Sequence, residues 1–274
     1  MTDVRESAGS RPLPEFERPP VVEVALGIQF RPIPQLRPIE LGRLRDEWRD
    51  DYPILQEQPP LPPASEDLVV GAPSVQLTLG PAPQARLWFS SVDQERLVQL
   101  QPDRLIVNWR QRTRGGRYPR YPSVRGEFER RLAELVRDLE RRDVAPPAVT
   151  QAEITYINAL DVQADAGGQL ERFVKVYQPA ADHHLGAPEQ ARLNLVFRVP
   201  EVGRDPVRMY VSLNPARRPD GEPAIFLTFT VRGAPLEETG AAALAFMDRA
   251  HDHVVRSFAE LTSQSMHSDW GMRQ

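Results

Sequence analysis

The stretch that most restricts the fold is Leu97–Arg110, reading LVQLQPDRLIVNWR. Val98 and Leu100 alternate with Gln99 and Gln101, the period of a strand with one apolar and one wet face. Gln101-Pro102-Asp103-Arg104 reads as a β-turn, because proline presets φ at the first central position and aspartate suits the second. On the return strand Leu105, Val107 and Trp109 share one face, while Ile106, Asn108 and Arg110 share the other. Leu105, Val107 and Trp109 are therefore expected to be buried together against a long helix.

The flanking sequence supplies the rest of such a sheet. In Val21–Phe30, Val22, Val24, Leu26, Ile28 and Phe30 fall on one side of a strand. Leu41, Leu44, Trp48 and Tyr52 recur at helical spacing until Pro53 stops the helix. Pro59-Pro60-Leu61-Pro62-Pro63 is a stiff polyproline segment, a spacer or a ligand for an aromatic groove. Ser74–Gly80 and Ala85–Ser90 read as strands. Val124, Phe128, Leu132, Leu135 and Leu139 mark a long amphipathic helix with Ser123 as its N-cap, and Pro146-Pro147 closes the unit. The pattern then starts again. Ala152–Leu160 is a strand that can be laid over Val22–Phe30, with Glu153 on Glu23, Ile154 on Val24 and Tyr156 on Leu26. Leu170–Tyr177 suggests a short helix. Ala191–Val199, Arg208–Leu213 and Ala224–Val231 are strands, and Ala241–Leu261 is a helix with a stripe of Leu244, Met247, His251, Val254, Phe258 and Leu261.

Hairpin-connected strands interrupted by helices imply an α+β fold and not a doubly wound parallel sheet. The expectation is a curved antiparallel sheet with long helices on one face, built from two related β-α-β(n)-α halves. This element order is similar to that of TATA-binding-protein-like and helix-grip folds. Residues 1–20 are expected to be a disordered arm, 21–147 the first half and 148–274 the second, within one continuous globular unit.

Composition narrows the classes of function. Cysteine is absent, which excludes disulfides, thiol catalysis and cysteine metal sites and fits a cytoplasmic protein. No apolar run is long enough to span a membrane, and the N-terminal MTDVRESAGSR lacks an apolar signal core, so neither membrane insertion nor export is expected. The formal charge of −4 argues against a general nucleic-acid binder. Lys175 is the only lysine. Arginine therefore carries nearly all the positive charge, as arginine-biased composition would give.

Against that background, one loop concentrates cations and aromatics. Arg110, Arg112, Arg114, Arg117, Tyr118, Arg120 and Tyr121 follow the hairpin, and with Asn108 they form the candidate binding surface. Such a cluster can grip phosphates and stack on bases, or it can be a solvated loop. No P-loop, dinucleotide fingerprint, GxSxG or HExxH occurs. His183-His184 lacks the further ligands a metal needs, and no cofactor is expected. His251 reads as a hydrogen-bonded core histidine and His253 as solvated. Asn158 shares a face with Ile154 and Tyr156 and can line a cavity between sheet and helix.

Several stretches together carry a resemblance: PPVVEVALGIQF, EQPPLPP, LVQLQPDRLIVNWR, YPRY, FAELT and the late WG. The chain resembles a sporadically distributed, uncharacterised prokaryotic family, and the resemblance implies an accessory role in defence or toxin-control operons. The leading expectation is a non-enzymatic cytosolic binding or adaptor protein whose partner is a protein. A nucleic-acid-binding module using residues 110–121 is the alternative. A small-molecule-binding or enzymatic cavity between sheet and helix is the third. No oligomeric state follows from the sequence.

Overall fold

The structure, a computed structural model, describes residues 12–37, 40–64, 85–113, 115–161, 173–175, 184, 190–218 and 220–273. In chain order the elements are β1 (Glu15–Phe16), β2 (Val21–Phe30), α1 (Gly42–Trp48), β3 (Ile54–Gln58), β4 (Arg86–Ser90), β5 (Arg96–Gln101), β6 (Arg104–Arg110) and α2 (Tyr121–Arg141). There follow β7 (Val149–Asp161), β8 (Leu193–Arg198), β9 (Arg204–Arg217), β10 (Pro223–Ala234), α3 (Gly240–Leu261), α4 (Gln264–Asp269) and β11 (Met272–Arg273). Ser74–Gly80 and most of Leu170–Tyr177 lie outside the described residues.

Nine strands form one antiparallel sheet in the order β3-β4-β5-β6-β2-β7-β10-β9-β8. The fold is thus α+β with a large antiparallel sheet and, among the described residues, four helices. The expected hairpin is present, with Val98 opposite Val107 and Leu100 opposite Leu105. At the middle of the sheet β2 pairs with β7, setting Val24 against Tyr156 and Leu26 against Ile154. The strand that opens each half also pairs with the strand that precedes that half's long helix, β2 with β6 and β7 with β10.

Helices α2 and α3 lie over the face that carries Val24, Leu26, Leu105, Val107, Ile154, Leu227 and Phe229, all nearly inaccessible. Leu105, Val107 and Trp109 are buried together in this core and α2 packs on β6, as the alternation predicts. Helix α2 begins at Tyr121, so Ser123 sits inside the first turn and is not the cap. Pro122 suits that turn because its missing N–H would have no helical partner there. Helix α3 has a side-chain cap, the Thr239 hydroxyl accepting from the Ala242 N–H at 3.2 Å. Its buried stripe is Ala243, Phe246, Met247, Ala250, Val254 and Phe258, with Leu244 at the margin.

Arg131 of α2 is fully buried. Its guanidinium donates to Glu127 at 2.7 Å, Glu134 at 2.8 Å and Asp51 at 2.6 Å. It also lies over the rings of Trp48 and Tyr52. Those rings donate to the same carboxylates, Trp48 Nε1 to Glu134 at 2.8 Å and the Tyr52 hydroxyl to Glu127 at 2.6 Å. A desolvated charge is tolerated only when so fully paired, and the pairing locks α1 and its following turn onto α2.

Glu15 and Phe16, in the N-terminal arm expected to be disordered, form the short strand β1. β1 pairs with β11, Phe16 against Met272. Phe16 is buried, with its ring edge-on to Phe258 at 5.3 Å. Glu17 takes an ion pair from Arg273 at 2.7 Å. One aromatic anchor and a two-strand pairing hold this segment against α3, a contact that local composition does not encode.

Candidate functional site

The arm, the sheet and the two long helices line a half-open cavity of about 390 Å³. The arm contributes Leu13, Pro14, Phe16 and Pro19, and the sheet Val21, Tyr156 and Asn158. The entry to α2 contributes Tyr118, Arg120, Tyr121 and Pro122, and α3 contributes His251, Val254, Val255 and Phe258. The lining is chiefly apolar, with a few polar atoms gathered at one side, the usual make-up of a small-molecule site.

Those polar atoms form a chain. The hydroxyls of Tyr118 and Tyr156 are 3.2 Å apart, and the Tyr156 hydroxyl is 2.9 Å from His251 Nδ1. The His251 ring is stacked on Tyr121, centroids 4.0 Å apart and nearly parallel. Tyr121 is held in turn by donating to Asp248 at 2.7 Å, and Arg125 pairs with the same carboxylate at 3.0 Å. Burial pulls the His251 pKa down to about 4, so the ring is neutral near pH 7. Burial pushes Tyr118 up to about 12 and Tyr156 well above its ordinary value. Neither phenol is therefore an activated nucleophile at neutral pH. Asn158 donates to the Leu227 carbonyl at 3.0 Å, which fixes its amide at the cavity wall.

The local backbone explains why two tyrosines three residues apart reach one cavity. Arg120 between them has φ 71°, a left-handed value that non-glycine residues rarely adopt. The turn sends Tyr118 toward Trp109 and Tyr156, and starts α2 at Tyr121. Arg120 itself is exposed, lies over the Tyr118 ring and donates to the Glu17 carbonyl at 3.2 Å.

The sequence-derived site residues divide between two pockets and the open sheet face. Tyr118, Arg120 and Tyr121 belong to the cavity. Arg112 and Arg117 are exposed, and Arg114 lies outside the described residues. Arg112 donates to the Gln94 carbonyl and side chain at 3.2 Å, while Arg117 borders a separate cleft beside Asp93, Glu95 and Arg96. Arg110 and Arg86 both lie over the Trp88 ring, at 5.6 and 5.3 Å, on the sheet face away from the helices. Asn108 is buried, borders the same cleft as Arg117, and has its side chain bonded within the sheet. It is one rung of a ladder across four strands on that face. Trp88 Nε1 donates to Gln99 at 3.0 Å, Gln99 to Asn108 at 2.7 Å and Asn108 to Glu23 at 2.7 Å. Burial raises the Glu23 pKa, and the Asn108 bond opposes that rise.

Tyr156, His251 and Phe16 are the site residues that sequence reasoning missed as a group. The signal available was the shared face of Tyr156 and Asn158 and the lone imidazole in the apolar stripe of α3. Among the described residues no group of three or more His, Asp or Glu side chains could hold a metal ion, and no helix is long and apolar enough to cross a membrane.

Fold and site together define an α+β protein with one large antiparallel sheet and an aromatic cavity under its helices. No protein-family model, curated protein or solved structure matches this chain.

Proposed function

We propose that the chain is a non-enzymatic binding protein whose ligand site is the cavity between β7, α3 and the arm. The observation that carries this reading is the conjunction of a chiefly apolar cavity with a three-membered hydrogen-bond chain, Tyr118–Tyr156–His251, on one wall. The groups on that wall bond one another, and the phenol pKa values are raised, which suits recognition and not bond-breaking chemistry. The test is a thermal-shift and native mass-spectrometry screen with small molecules, run on the parent and on Val254→Trp, which fills the cavity. A bound species or stabilising compound lost in the variant supports the reading. Stabilisation that survives Val254→Trp, or no binder in a broad screen, overturns it.

A second reading concerns the opposite face of the sheet. Two cations, Arg86 and Arg110, meet on one indole, and burial lowers the pKa of both. Each has a buried Nε without a hydrogen-bond partner. An acidic segment of a partner protein, meeting the outer guanidinium nitrogens, would favour both charges. Affinity capture from the native host, with and without nuclease, separates a protein partner from nucleic acid, and Arg86→Ala/Arg110→Ala should abolish capture.

We also propose that the two halves are related by an approximate twofold axis, in the manner of TATA-binding-protein-like folds. The strand pairing supports this. Laying Glu23 on Glu153 puts Ala25 on Thr155, which are direct partners across the central seam. The same alignment carries Arg110, opposite Glu23, onto Arg232, opposite Glu153. Superposition of the halves in an experimental structure tests it, and unrelated helix positions would refute it.

A further inference from the structure

The cavity wall has an unusual chemical property. Every polar group in the Tyr118–Tyr156–His251 chain is both a hydrogen-bond donor and an acceptor, and none carries a charge at neutral pH. The charged residues nearby are engaged or peripheral. Asp248 is paired with Arg125 behind Tyr121, and Glu15 and Arg120 are exposed at the mouth.

Such a chain has two proton arrangements. In one, Tyr118 donates to Tyr156 and Tyr156 to His251 Nδ1, which leaves Nε2 as the imidazole donor and the Tyr118 oxygen as acceptor. In the other, Nδ1–H donates to Tyr156 and Tyr156 to Tyr118, which leaves the Tyr118 hydroxyl as donor and Nε2 as acceptor. The ends therefore exchange roles while every internal bond is kept. A ligand hydroxyl, which itself donates and accepts, is satisfied by either arrangement. A group that only accepts or only donates freezes one arrangement. A carboxylate or ammonium group would have to leave water for a chiefly apolar wall whose one arginine, Arg120, lies at the mouth, at a desolvation cost.

The cavity also sets shape. Phe16 and Phe258 meet edge-to-face on the arm side, and Tyr121 and His251 stack on the other. Aromatic walls favour a flat apolar body through offset and edge contacts. About 390 Å³ holds roughly a dozen non-hydrogen atoms, at ~30 Å³ for each water-sized group.

Resting on the reading of this cavity as a ligand site, we infer that it takes an uncharged, phenol-type molecule, a flat apolar body bearing one hydroxyl that is read by the Tyr118–Tyr156–His251 chain.

Three probes of nearly equal shape separate the possibilities: p-cresol, toluene and p-toluate, titrated calorimetrically into the full chain at neutral pH. The expected order is p-cresol tightest, toluene weaker by about ten- to hundredfold for want of the hydroxyl, and p-toluate no tighter than toluene. Tyr156→Phe removes the central hydroxyl and keeps the ring. Combined with Tyr118→Phe, which removes the remaining phenol donor and acceptor of the chain, it should bring p-cresol to within about threefold of toluene, whose binding uses no hydroxyl. Tyr118→Phe alone, at the other end of the chain, should act in the same direction. Val254→Trp should abolish binding of both neutral probes. Equal binding of p-cresol and toluene, both lost in Val254→Trp, would overturn the phenol assignment while leaving the cavity as a ligand site. Tightest binding by p-toluate would do the same. Failure of p-cresol and p-toluate to bind at about 10 mM, where even very small ligands are held by a true pocket, and of toluene at aqueous saturation, would overturn both readings.

Discussion

Replacing Arg131 by methionine tests whether the polar cluster under α1 holds the fold together. The substitution keeps most of the side-chain volume over Trp48 and Tyr52 and deletes three charge-assisted hydrogen bonds, to Glu127, Glu134 and Asp51. Each such bond contributes about 1.5–3 kcal/mol in isolation, but desolvation of the arginine offsets much of their sum. What remains is the cost of leaving Glu127, whose side chain is 18% exposed, without Arg131, and Glu134, at 11%, with Arg130 alone. For breaking a buried pair from one side that cost is about 3–5 kcal/mol. The neighbour supplies the control. Arg130 contacts Asp51 at 2.9 Å and Glu134 at 3.1 Å, yet its side chain is 55% exposed. Arg130→Met should cost less than about 1 kcal/mol. Urea unfolding followed by circular dichroism and by tryptophan fluorescence, with Trp48 inside the cluster, measures both. Asp51 adds a pH signature. Its pKa is lowered first of all by the Arg131 bond, so its contribution is full above the unfolded carboxylate pKa and fades as pH falls. Arg131→Met should therefore lose less stability on acidification than the parent. If the two arginine variants were equally stable, burial would not be what gives Arg131 its role.

Three further outcomes are expected. Trp109→Ala should cost about 3–5 kcal/mol, because the indole is buried against Tyr118 at 5.3 Å; a variant keeping only Trp109 should show blue-shifted emission, and a fully solvated spectrum would count against its burial. His251 titrates at about 4 in the fold and near 6.5 when unfolded, so the unfolded chain binds the extra proton in between and stability falls as pH drops across that window; His251→Gln should flatten this slope in urea midpoints measured against pH. Replacing Arg112, Arg114 and Arg117 together by alanine should change stability by less than about 1 kcal/mol, and a larger loss in the same assay would mean the loop is part of the folded core.

The sheet was legible where burial is one-sided. Val24, Leu26, Ile28 and Phe30 alternate with small or polar residues because only one face of β2 meets helices, and the period follows directly. The sequence reads this strand as Arg208–Leu213, but β9 runs from Arg204 to Arg217 through Pro206 and Pro215. Its pairing explains the error. β8 covers only Arg208–Leu213, so the flanks of β9 are edges where a missing N–H breaks no ladder bond on that side. The cavity was harder to read. Tyr118 and Tyr121 were picked as stacking groups for an outside partner, yet the positive φ of Arg120 turns them inward, and no composition rule marks that residue. Tyr156 and His251 lie 95 residues apart in sequence. Each alone reads as an ordinary core residue, and only the packing of α3 on β7 makes them a pair.

The seam between β2 and β7 has a consequence for how the protein is made. β2 sits in the middle of the finished sheet, but its partner β7 is synthesised roughly 120 residues later, on the order of ten seconds at ribosomal speed. During that interval the emerging first half can pair β2 with β6 and dock α2, while the other edge of VVEVALGIQF stands open with every hydrogen-bonding group unpaired. An apolar strand with a free edge is a template for any passing strand, including its own copy on a neighbouring ribosome. Glu23 and Gln29 are the polar side chains along that edge, and dense expression should therefore penalise this chain through its first half, before the second exists to close it.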